Sequence, residues 1–264
     1  MPEPVRRQAL HPFRELPTPP GWRKVDSRRF LAILHPLPFA QIVEPGELSE
    51  EEVGGAVEEA RALVREHGRS LLIWLVGPEQ RRLGERLEEF GLVNAETPGF
   101  EATENAMALT RRPLGEPPTD VEVREVNSFV DFATSQRLSG EVFEMTAEMV
   151  GEMEANLPKL YEEHTTPGNP LRQFNASIDG RVVGTAAAGL GPAGVNLFGG
   201  SVVVDARGRG VYRALTYARW ELAVARGTPA LTVQAGRMSK PIAERLGFQL
   251  VDTIHVYVDD FSGL

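Results

Sequence analysis

Apolar residues recur at two different spacings along this chain, and the spacing separates its helices from its strands. From Val211 the positions Val211, Ala214, Leu215, Ala218, Leu222 and Ala225 mark one face of a helix that Gly227 ends. Met149, Val150, Met153, Leu157 and Leu160 form a second such stripe, predicting a helix over 146–163 after another over 128–143. Strict alternation in "VEVREV" (121–126) predicts a strand, and "FNASIDGRVVGTAAAG" predicts two strands joined by an Asp-Gly hairpin turn. After the turn "GPAG" (191–194), "VNLFGGSVVV" and "ALTVQA" are strands, "SKPIAERLGF" is a short helix and "LVDTIHVYV" a final strand. Upstream, the helix "ELSEEEVGGAVEEARALVREHG", the strand "LLIWLV", the helix "QRRLGERLEEFG" and the strand "NAMALT" repeat the end of that order. The fold class is mixed α/β.

Two Pro-rich breaks divide the chain. Residues 1–21 are aperiodic and predict an extended arm; "RRPLGEPPTD" (111–120) predicts a linker. The divisions are therefore an arm (1–21), a first lobe (22–112), a linker (113–120) and a second lobe (121–264). Setting Gly68 on Gly227 also brings Leu72 onto Leu231 and Gly77 onto Gly236, which suggests duplication of half a domain.

Composition narrows the chemistry. A formal charge of −9 over 264 residues argues against a nucleic-acid binder. No apolar run or signal-peptide core points to a membrane, so a cytoplasmic location is expected. The chain has no cysteine, which removes disulfides and cysteine nucleophiles, and its five histidines are scattered without metal-ligand spacing, so no metal is expected.

Against that acidic background stands "SVVVDARGRGVYRAL" (201–215). Arg207, Arg209, Arg213 and Arg219 occur between Asp205 and Glu221 with no acid among them, a local cationic site for an anion. A Gly-rich turn at a helix N-terminus offers free amides and the positive end of the helix dipole, which suits phosphate. The dinucleotide fingerprint fails, because Arg213 occupies its third glycine, and the P-loop pattern is absent. The spacing Arg207-x-x-Gly210-x-Tyr212, between a strand and a helix and with "LGF" downstream, instead resembles the signature of the GCN5-related N-acetyltransferases over about residues 119–258.

That resemblance implies the acetyltransferase fold, with a truncated and degenerate copy in the first lobe, and acetyl-CoA as cosubstrate. It implies that Val202, Val203 and Val204 lie along the thioester arm, with Val202 and Val204 offering main-chain groups. Arg207, Gly208, Arg209, Gly210, Val211, Tyr212 and Arg213 would hold the pyrophosphate. The implied reaction is direct attack of a primary amine on the thioester. The tyrosine that often protonates the leaving thiolate is replaced here by Ala243, the frequent asparagine seven residues earlier by Gly236, and the last small residue of the signature by Tyr212. Ser239 and Tyr212 are the candidates for the acid.

In the first lobe the same register lays "LSEEEVG" (48–54) over the cradle, and Ser49 with Glu52 forms a capping-box pattern among three glutamates, so coenzyme A should not bind there. Glu141, Glu144, Glu148 and Glu152 border the expected acceptor region, where a general base is sought, and His164 lies in a loop that could shape that pocket. A non-catalytic acyl-CoA sensor or scaffold is the alternative, motivated by Ala243. The first lobe could also serve as a regulatory module or homodimer contact. Basic protein tails, polyamines, aminoglycosides and amino acids all remain open as acceptors.

Overall fold

The structure, a computed structural model, describes residues 1–36, 39–69, 71–94 and 101–260. Among these, eleven strands form one sheet. They are β1 (Arg23–Asp26), β2 (Phe30–Leu34), β3 (Phe39–Pro45), β4 (Leu71–Val76), β5 (Thr103–Leu109) and β6 (Glu122–Glu125), followed by β7 (Leu171–Ile178), β8 (Arg181–Leu190), β9 (Val195–Val202), β10 (Leu231–Ala235) and β11 (Gln249–Asp260). The helices are α1 (Glu3–Leu10), α2 (Pro12–Glu15), α3 (Glu52–Glu66), α4 (Arg81–Glu89), α5 (Phe129–Val142), α6 (Ala147–Thr165), α7 (Val211–Ala225) and α8 (Lys240–Arg245). None of them is long and apolar enough to cross a membrane. The predicted hairpin forms β7 and β8, with Asp179 and Gly180 both at positive φ (49° and 78°) as a twisted two-residue turn requires.

The strand order is β1-β2-β3-β4-β11-β5-β10-β9-β8-β7-β6. Only β3–β4 and β9–β10 pair in parallel. Exchanging β3 with β9, β4 with β10 and β5 with β11 maps the six central strands onto themselves. The register that sets Gly68 on Gly227 also sets the first residue of α3 on the first residue of α7, and both helices have 15 residues. This symmetry supports duplication. It has a consequence that local pattern does not carry: β5 lies between β10 and β11, and β11 lies between β4 and β5. Each half lends its last strand to the other.

Alternation along the strands builds two faces. Leu72, Trp74 and Val76 of β4 pack with Val53, Val57 and Val64 of α3, whereas Ile73 and Leu75 join Val5 and Ala9 of α1 on the opposite face. On β5, Met107 and Leu109 pack into the core under α7, and Ala106 and Ala108 face α1. The small side chains of Ala9, Ala106 and Ala108 let the helix lie close to the sheet.

Residues 1–21 are therefore no extended arm. Pro2 and Pro12 sit at helix starts, where a missing N–H costs nothing, and tertiary contact secures the short helices. Gln8 is fully buried; its Nε2 donates to Thr232 Oγ1 (3.1 Å) and its Oε1 accepts from the Ala193 amide (3.1 Å). The region 22–47 had no strand assigned and contributes β1 to β3. The Pro-rich segment after β5 is fastened down: the Tyr217 hydroxyl donates to the carbonyls of Pro113 and Gly115, and the Leu114 amide donates to Leu246 O at 2.9 Å.

Two outcomes follow from this architecture. The fragment 113–264 lacks β5 and leaves the facing edges of β10 and β11 unpaired, so it should show no cooperative urea transition; a single cooperative transition would contradict the strand exchange. Replacing Gln8 with Leu should cost about 1–3 kcal/mol in chemical denaturation, because it strands the partly buried Ala193 amide and takes a donor from the buried Thr232 hydroxyl.

Candidate active site

The parallel pair β9–β10 is joined only from Val195–Leu231 to Leu197–Val233, although β9 continues to Val202 and β10 to Ala235. The strands part because β9 bulges: two steps on β8, from Thr185 to Ala187, face three on β9, from Ser201 to Phe198. Gly199 takes φ +51° there, and a bulge leaves its extra residue outside the ladder. The Gly199–Gly200 segment thus presents main chain to the gap. A Cβ on Gly200 would come within 2.8 Å of the Tyr212 ring, so this glycine admits Tyr212 to the gap's edge.

On the α7 face, a cavity of about 610 Å³ leads to the gap. Val204–Ala206 form a 3-10 turn after β9, and Gly208 and Gly210 both take φ +80°. Gly210 is the N-cap of α7 and no side chain caps the helix. Among the described residues, the amides of Gly208, Gly210, Val211, Tyr212 and Arg213 have no acceptor. A Cβ on Gly208 would meet nothing within 4 Å, so the loop's outer side is open. Val202, Arg207, Gly208, Gly210, Val211, Tyr212 and Arg213 line the cavity, as does Arg245, which the sequence did not single out. No described carboxylate pairs with Arg207, Arg213 or Arg245. Val142, Phe143, Ile242 and Leu246 make the remaining wall apolar.

Several expected members lie elsewhere. Arg209 pairs with Asp120 at 3.0 Å and points away from the cavity. Val203 is buried, with its amide on Val183 O, and Val204 is exposed with its carbonyl accepting from Arg207. The strand ends at Val202, and the bulge shifts the exposed main chain toward Gly199 and Gly200 instead of Val204. Arg219 is not part of the loop's cationic face, because it lies two helical turns beyond Tyr212 and is 1% exposed. Ala243 is buried in the core, away from the cavity wall.

A second cavity of about 370 Å³ adjoins the gap from the α1 face. Phe143, Gly200, Tyr212, Met238 and Ser239 line both cavities, so the two meet there. Tyr212 and Ser239 thus both stand at the junction. Ser239 Oγ donates to Gly236 O at 3.3 Å, whereas the Tyr212 hydroxyl has no partner among the described residues. Phe13, Gln41, Glu101 and Glu104, all from the first 112 residues, complete the wall. Glu104 lies at the start of β5, opposite Ile254 of β11. Burial, and then the neighbouring Glu101, push its carboxyl up to about 7. Glu101 Oε2 accepts from the Arg237 amide.

None of Glu141, Glu144, Glu148 and Glu152 lines either cavity; Glu152 faces a separate hollow on α6. His164 packs against Phe132 with Nε2 3.3 Å from Val126 O, also outside both cavities. Glu104 escaped sequence reasoning although a signal existed: in "ENAMAL" it shares the alternation of the buried Ala106 and Ala108. The matching parallel pair of the other half, β3–β4, is closed. Leu10, His11, Glu44 and Gln80 surround a hollow of only about 20 Å³ there, and Gln80 donates to Pro45 O. Half of the predicted capping box forms, with the Ser49 amide donating to Glu52 at 3.1 Å.

This architecture is the fold of the GCN5-related N-acetyltransferases. A GCN5-related N-acetyltransferase from Kribbella flavida superposes with a TM-score of 0.68 at 19% identity, covering 97% of this chain and 95% of that one. A tandem protein of this type from the clavulanic acid biosynthesis pathway gives 0.60 at 16% identity, covering 100% and 89%. One from Sphaerobacter thermophilus gives 0.58 at 14% identity, covering 91% and 76%. No family model and no curated protein sequence matches the chain.

Glu104 makes folding sensitive to pH in a direction opposite to an ordinary carboxylate. Its folded pKa lies above its unfolded value, so its contribution is fully present below about 4.5 and is lost as pH rises through about 7. Glu104→Gln should flatten that part of the stability profile measured by urea titration; an unchanged slope would contradict a raised Glu104 carboxyl.

Proposed function

We propose that the protein is an N-acetyltransferase that moves an acetyl group directly from acetyl-CoA to a primary amine of a small molecule or peptide. The observation that carries this reading is the meeting of two cavities at the β9–β10 gap, one walled by free amides and arginines, the other by a half-buried carboxyl raised to about 7. The residues present fit the cosubstrate. The α7 amides and Arg207, Arg213 and Arg245 suit a pyrophosphate, and the apolar wall toward the gap suits the pantetheine arm.

When bound, acetyl-CoA supplies the activated acyl thioester. Glu104 takes a proton from the acceptor ammonium, leaving the amine's lone pair free for attack. The main-chain donors of the Gly199–Gly200 bulge polarise the acyl oxygen from a fixed position. Tyr212 holds the hydroxyl proton available where the sulfur leaves; Ser239 is the second candidate, its own proton engaged by Gly236 O. The chain's largest contribution is orientation, since the gap fixes donor and acceptor on opposite faces of one sheet.

Glu104→Gln should lower kcat about 10²–10⁴-fold and remove the rise in kcat/KM through about pH 7. A wild-type profile without that limb would contradict the assignment. Gly210→Val places a side chain at φ +80° and against Pro118, and should abolish the heat of acetyl-CoA binding in isothermal titration. Arg213→Glu should weaken that binding about tenfold or more and Arg209→Glu distinctly less, because only Arg213 lines the cavity.

A further inference from the structure

Arg219 is 1% exposed, yet no carboxylate pairs with it among the described residues. Its Nε donates to Leu215 O (3.0 Å) and its Nη1 to Ala187 O (3.1 Å), while its buried Nη2 has no partner. Burial depresses even this guanidinium, to about 10, so it remains a cation at neutral pH. A buried charge held only by carbonyls is costly unless something supplies the opposite sign.

The position of Arg219 indicates what that is. It projects from α7, but it lines the cavity whose other walls, Phe13, Gln41 and Glu104, belong to the α1 face. The cavity therefore reaches through the β9–β10 gap to the guanidinium. Beside Arg219 that wall carries no carboxylate: Asn196, which accepts from Thr232 Oγ1 at 2.7 Å, the bulged segment Phe198–Gly200, and the Tyr212 phenol, which interacts electrostatically with the guanidinium. The two acids of the cavity, Glu101 and Glu104, form no ion pair with Arg219.

We propose that Arg219 is the recognition site for a carboxylate carried by one of the two reactants, entering at the β9–β10 gap. This rests on the transferase reading above. The carboxylate belongs either to the acceptor, making it an amino acid or peptide, or to the transferred group, making the donor a dicarboxylic acyl-CoA. Either one would bring a negative charge into a low-dielectric site that holds an uncompensated positive one.

Two arms separate the sources, both on the full chain. In the acceptor arm, thiol release from acetyl-CoA is compared for amino acids and their own amides. In the donor arm, the Kd of succinyl-CoA is compared with that of butyryl-CoA by isothermal titration, a readout that does not depend on turnover. A carboxylate preference of about tenfold or more in one arm, lost in Arg219→Met and partly kept in Arg219→Lys, is the expected result. Equal treatment of charged and neutral partners in both arms overturns the proposal, whether or not the variants fold. Tight acyl-CoA binding with a succinyl preference but no thiol release would overturn the transferase reading and leave this site standing.

Discussion

The antiparallel pairing of β5 with β11 is the contact on which the rest of the molecule depends. It joins two half-sheets into one, and with the other edge of β5 paired to β10 it sets Glu104 of the first half next to the gap in the second. Without it β5 and β11 would both be edge strands, and β5, which carries Glu104 into the α1-face cavity, would be held by β10 alone. The pairing is long-range: Ala108 lies opposite Gln249, and Thr103 opposite His255. Its stability comes from burial on both faces, with Met107 and Leu109 on one side and Ala106 and Ala108 on the other.

The two halves have divided their labour along the same symmetry. In the second, β9 bulges at Gly199–Gly200 and α7 begins at an uncapped glycine, so the strand pair opens and its amides stay free. In the first, Leu10 of α1, His11 and Gln80 close the equivalent place down to a small hollow, and glutamates occupy the helix start. The half without a cradle still contributes, through Glu101, Glu104, Gln41 and Phe13. A buried chain from Gln8 through Thr232 to Asn196 ties the N-terminal helix to the base of the gap.

Much of the second half was legible in the sequence because its signals are local. The Asp-Gly turn, the α7 stripe and the Arg/Gly loop each carry their own stereochemistry within about ten residues. The first 47 residues resisted for the same reason in reverse. Helices α1 and α2 have 8 and 4 residues, too short to be stable alone, and exist because Gln8 and Ala9 dock on the sheet. Strand exchange leaves no local mark at all. Spacing alone groups Arg209 and Arg219 with the Arg/Gly loop, and only the fold shows that Asp120 takes one and the core the other. Glu104 precedes the strand that alternation predicts, and the burial that raises its pKa comes from residues far away in sequence.

The central claim is that one half supplies the cradle and the other the base, on opposite faces of a shared gap. Its most direct test is a crystal structure of the full chain with coenzyme A. The account predicts the pyrophosphate on the amides of Gly210 to Arg213 and the sulfur in the β9–β10 gap, facing Glu104 across Gly200. A sulfur lying outside that gap, or a pyrophosphate at the start of α3, would contradict it.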